Sequence, residues 1–78
     1  MKYVIYVSTY DTKNQRYIVK DKIYAGMIFS SWELVYKAFI KIVYLFDPEQ
    51  IIDFDDTKGY FKGIPIEGYE VELKITEK

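Results

Sequence analysis

The segment FSSWELVYKAFIKIVYLFDP, Phe29 to Pro48, carries the clearest helical period in the chain and decides how the rest must be arranged. Ser30 is placed to cap a helix, with Glu33 three residues later to complete a capping box and Phe29 and Leu34 to form a hydrophobic staple. The Glu33 carboxylate also lies near the positive end of the helix dipole. A proline disfavours helical geometry in the residue before it, so Pro48 should stop the helix at Phe46 or Asp47, after about 16 residues. At about 100° per residue, Val35, Phe39, Ile42 and Phe46 cluster within about 60° and define the expected buried centre.

The flanks of this helix are unusually apolar. Leu34, Ala38 and Leu45 lie on one side, and Trp32, Tyr36 and Val43 on the other. The charged residues Glu33, Lys37 and Lys41 form one row at a spacing of four, with Glu leading Lys in the favourable order, and Ile40 and Tyr44 interrupt it. A helix lying on one sheet normally keeps a broad polar face, and this one does not. Trp32, Tyr36, Ile40 and Tyr44 are therefore the expected interface of a homodimer, the competing reading being a helix buried within its own domain. Burying a further ~600 Å² of apolar surface is worth on the order of 15 kcal/mol gross, before association costs.

Strand patterns surround the helix. Residues 2–10 alternate with apolar side chains on both faces, Tyr3, Ile5 and Val7 against Val4 and Tyr6, as in a central strand. DTKNQ is a turn, and RYIVKDKIY returns as a hairpin partner with Tyr17, Val19 and Ile23 on one face. After the helix, QIIDFD should place Ile52 and Phe54 inward and Ile51, Asp53 and Asp55 outward. DDTKGYFKG is a turn with Gly59 at positive φ, and YFKGIPI reads as a short edge strand because Pro65 cannot donate to a ladder. Tyr69, Val71, Leu73 and Ile75 then face inward from a last strand. The sum is a single α+β domain over residues 1–78, of order ββαβ(β)β, with an antiparallel or mixed sheet and one amphipathic helix packed across it.

Composition bounds the chemistry. The 78 residues contain no cysteine and no histidine, which removes disulfides, thiolate sites and the commonest general base at neutral pH. Carboxylates, Lys and Tyr remain as catalytic groups, so binding is expected ahead of catalysis, and no cofactor is expected. Half the residues are hydrophobic, too many for a disordered chain, yet no run approaches a membrane span. MKYVIYVSTYD lacks the longer apolar region and cleavage site of a signal peptide, so the expected location is cytoplasmic.

Two charged constellations compete for function. DPEQIIDFDD gathers Asp47, Glu49, Asp53, Asp55 and Asp56, an acidic surface suited to docking a basic protein partner, as an inhibitor or adaptor would. Residues 42–78 carry four basic and nine acidic groups, net −5, whereas residues 1–41 carry seven and three, net +4. One alternative is a nucleic-acid-binding sheet face built from Lys2, Tyr6, Tyr10, Arg16, Lys20 and Lys22. A second is a divalent-metal phosphodiesterase using Asp53, Asp55 and Asp56, although the spacing is not that of an EF-hand loop. The bland reading is a solvated edge strand protected by Asp.

Ten Lys against one Arg, with one Asn and two Gln, point to a thermophilic source, and the small size to an archaeal virus or plasmid. The purified protein should then melt well above the range of ordinary domains, and a thermal midpoint near about 50 °C by calorimetry would contradict that origin.

Overall fold

In the computed structural model, which describes residues 1–78, the first strand β1 (Tyr3–Asp11) turns back through a tight hairpin into β2 (Arg16–Ile23). The turn is fixed by the buried Asp11 carboxylate, which accepts from the Lys13 and Asn14 amides at 3.0 and 3.2 Å and from the Asn14 side chain at 2.7 Å. These donors, chiefly the Asn14 side chain, hold the Asp11 pKa below its ordinary value.

The helix α1 spans Trp32–Val43 and starts one residue later than the capping-box pattern implies. Phe29 is pinned to Tyr3 by two reciprocal 2.8 Å backbone hydrogen bonds, which keep the chain extended past the staple position. Ser31 is consequently the cap, its Oγ accepting from the Leu34 N–H at 3.3 Å, while Glu33 sits in the first turn. The helix also ends earlier, after 12 residues, because tightened bonds from Leu45 and Phe46 to the carbonyls of Ile42 and Val43 close its last turn. Asp47 is extended at φ −72° and ψ 151°, as Pro48 demands. The buried residues are therefore Val35, Phe39 and Val43, with Ile42 and Phe46 only half-buried.

Three strands follow: β3 (Ile51–Asp55), β4 (Tyr60–Gly63) and β5 (Tyr69–Glu77). The sheet order is β2-β1-β5-β4-β3, and every neighbouring pair is antiparallel. β5 pairs with the whole of β1 in unbroken register, from Tyr3 opposite Glu77 to Asp11 opposite Tyr69. The helix connects the two outer strands, β2 and β3, and packs chiefly on β1 and β5 in the middle of the sheet. Ile5, Val35, Phe39, Val43, Phe61 and Leu73 form the core between helix and sheet. No helix is long and apolar enough to cross a membrane.

Three details of facing differ from simple alternation. β2 contains two bulges, so Val19 lies opposite Thr9 on the helix side, while Tyr17 and Ile23 lie opposite Tyr10 and Tyr6 on the other face. The second bulge places Asp21 at φ 50°, its N–H bonded to Ser8 Oγ at 2.9 Å. A bulge between Ile51 and Asp53 turns Ile51 onto the core and leaves Ile52 half exposed, while Phe54 still points inward and stacks on Phe39 at 6.2 Å. β4 is an interior strand that stops before Ile64 and Pro65, and β3 takes the edge.

Gly59 is buried at φ 68°, and a Cβ there would lie 2.6 Å from Ile75 Cδ1, so a side chain is excluded by both backbone and space. The cap position gives a direct test of the helix start. Ser31→Ala should cost about 1 kcal/mol in urea unfolding, and Ser30→Ala should stay within about 0.5 kcal/mol.

Candidate functional site

The α-helix covers one face of the sheet and none covers the other, which is open except along β1, where Val4 and Ser8 are buried. On that open face the register sets two rows across the strands: Ser8, Glu72, Lys62, Asp53, and Tyr6, Lys74, Tyr60, Asp55. Lys62 Nζ lies 3.6 Å from Glu70 and Lys74 Nζ 3.4 Å from Glu72. Tyr60 donates its hydroxyl to the second Glu72 oxygen at 2.7 Å. Burial, reinforced by this bond and by the Glu72 charge, pushes the Tyr60 pKa up to about 12. Tyr10 and Tyr17 meet edge to face at 5.0 Å, with the Lys20 ammonium 5.0 Å above the Tyr17 ring.

This arrangement separates the proposed nucleic-acid set. Tyr6 and Tyr10 share the open face, with Lys20 beside them over Tyr17. Arg16 stands opposite Asp11, and Lys22 stands opposite Val7 on the helix side. Lys2 precedes β1, its carbonyl accepting from the Lys78 amide at 2.7 Å. Insertion of β5 sets Glu70 directly opposite Tyr10 and Lys74 opposite Tyr6, so one tyrosine faces a carboxylate and the other an ammonium group.

The five acidic residues divide among three places. Asp47 and Glu49 are exposed in the turn after the helix. Asp53 and Asp55 belong to the open face, where Asp53 is cross-strand from Lys62 and Asp55 from Tyr60. The Asp55 carboxylate is already committed to its own turn, accepting from the Thr57 hydroxyl at 2.6 Å and from the Thr57 and Lys58 amides. The Thr57 hydroxyl is the main cause of its lowered pKa, with partial burial opposing. Asp56 lies near Tyr36, whose pKa is raised by burial and then by the Asp56 charge. No three carboxylates converge into a group able to hold a metal ion.

The helix set is partly folded into the domain. Trp32 stacks on Tyr36 at 6.1 Å and meets Tyr3 edge-on at 5.9 Å, and Tyr36 and Ile40 are half-buried. Tyr44 instead stands 78% exposed, and its neighbour Leu45 is 81% exposed. Beside them Leu45, Phe46, Gln50 and Pro65 line a groove of about 290 Å³. Gln50 builds this groove: its side chain donates to the Pro65 carbonyl at 3.1 Å and accepts from the Asp47 amide at 2.7 Å. Its backbone carbonyl accepts from Ile64 at 2.7 Å. Leu45 and Pro65 are absent from all the sequence-derived sites. The available signal was the apolar run YLF immediately before Asp47-Pro48, in which only Phe46 falls on the buried stripe of the helix.

Comparison with models of protein families, with curated proteins and with solved structures finds no match to this chain.

The Tyr60–Glu72 bond makes a pH prediction. Because the folded pKa is raised above the unfolded value, its stabilisation is complete below pH ~10 and is lost as pH rises toward about 12. Tyr60→Phe should remove the most alkaline step of the phenolate absorbance titration and flatten the loss of stability across that window.

Proposed function

We propose that the protein is a protein–protein interaction module, an adaptor or inhibitor, that docks its partner at the C-terminal end of α1. The carrying observation is the pair Tyr44 and Leu45, left 78% and 81% exposed beside the groove that Gln50 and Pro65 complete. Large apolar side chains exposed together next to a concavity are a costly arrangement for an isolated domain and a common one at interfaces. Asp47 and Glu49 rim the same end with exposed carboxylates. The partner that fits is a protein segment with one large apolar anchor flanked by Lys or Arg. The anchor would seat against Leu45 and Phe46, while the basic residues meet the Asp47 and Glu49 carboxylates. Rim charges of this kind mainly set the rate of encounter and the choice of partner, and the buried apolar contact holds the complex.

Leu45→Glu removes the apolar contact at a position too exposed to matter for folding. Immobilised wild type and this variant should be compared for capture from lysate of the source cells. Retention of a protein by wild type should fall about 10-fold or more in Leu45→Glu, with an unchanged melting temperature. Asp47→Lys with Glu49→Lys should slow association more than it speeds dissociation. Equal capture by wild type and Leu45→Glu, or a loss confined to Asp53→Lys with Asp55→Lys, would reject this docking site.

A further inference from the structure

The strand order converts a charge difference along the chain into one across the molecule. Residues 1–23, which build β1 and β2, carry five basic and two acidic side chains, net +3. Residues 47–78, which build β3, β4 and β5, carry four basic and nine acidic, net −5. Lys37, Lys41 and Glu33 add +1 from the helix, giving the overall −1. Because β1 and β2 form one side of the sheet and β5, β4 and β3 the other, the molecule is an electrostatic dipole lying across its strands.

The two poles are sheet edges. β2 presents exposed Lys20 and Lys22 and has Ile18 55% exposed, whereas β3 presents exposed Asp53, with the half-buried Asp55 held in its turn beside it, and has Ile52 50% exposed. Each edge also leaves one row of ladder groups without a strand partner. The single carboxylate of β2, Asp21, is held across the bulge, accepting from Ser8 Oγ at 3.4 Å.

We propose that a second copy of this chain docks head to tail, the β2 edge of one molecule against the β3 edge of the next. A β2–β2 contact opposes lysine with lysine, and a β3–β3 contact opposes aspartate with aspartate, so like-to-like pairing is penalised at both edges. Only the β2–β3 contact joins basic to acidic while also covering Ile18 and Ile52. The bulges in both strands prevent a long flat ladder, so the contact is short, reversible and held largely by charge. Such a contact is heterologous, and each added copy leaves one free edge of each kind, so association continues into rings or chains. It uses a different surface from the helix end and stands whether or not that end docks a partner.

The test is sedimentation velocity over a concentration series at about 10 mM and about 1 M sodium chloride, where the Debye length falls from about 30 to about 3 Å. Wild type should show a weight-average mass rising about twofold or more at low salt and returning to monomer at high salt. Lys20→Glu with Lys22→Glu, and separately Asp53→Lys, should each stay monomeric at low salt while folded by circular dichroism. An equimolar mixture of the two variants should associate again, because both edges are then complementary across the pair. Lys37→Glu with Lys41→Glu changes net charge equally to the β2 variant and should keep the wild-type association. A monomeric wild type at low salt, edge variants that associate like wild type, a mixture that stays monomeric, or loss of association in the helix variant would each overturn the proposal.

Discussion

The nine-residue register of β1 against β5 is the constraint on which the rest of the structure depends. It joins the first strand to the last, so every other element has to fit within a closed circuit of chain. β2 can lie only outside β1, and β4 and β3 only outside β5, which fixes the helix as a bridge from edge to edge. Pairing so distant in sequence carries a closure cost before any contact forms. Val7 opposite Leu73 and Ile5 opposite Ile75 repay it, because these pairs supply the sheet floor of the core beneath Val35 and Phe39.

Much of this was readable from residue pattern, and the failures of strand facing and helix start share one cause. Strand identity, helix position, the central place of β1, the inward row Tyr69, Val71, Leu73, Ile75 and the positive φ of Gly59 all follow from local chemistry. What local chemistry cannot reveal is how a distant strand resets a boundary or a face. Ser30 has the better capping sequence, yet Ser31 caps, because Phe29 is held to Tyr3 from the other end of the hairpin. Ile52 has the better alternation, yet Ile51 is the residue turned onto the core, because a bulge against β4 resets the period. Each is a case of tertiary pairing overriding a local preference.

The same limit explains how far function was legible. The carboxylates of Asp47, Glu49, Asp53, Asp55 and Asp56 are neighbours in sequence and are dispersed by the helix end, the open face and the β3–β4 turn. Tyr6 and Tyr10 share a face as expected, but Glu70 and Glu72 come from a strand more than fifty residues away and were invisible to a local reading. The charge asymmetry between halves was visible in sequence, and strand order gave it a direction in space.

A flat architecture then accounts for the exposed apolar residues. The accessible surface is 5405 Å², against about 5,000 Å² for a compact chain of 9.4 kDa, and the molecule measures 38 × 24 × 18 Å. One helix can bury one stripe of itself against one sheet face. Because Asp47-Pro48 forces the chain out of the helix, Phe46 can still turn back onto Phe61 at 4.8 Å, but Tyr44 and Leu45 cannot. A polar residue at position 45 would cost the fold little, so the leucine there is not explained by the stability of this domain. Its exposure, together with that of Tyr44, is the observation on which the proposed docking site rests.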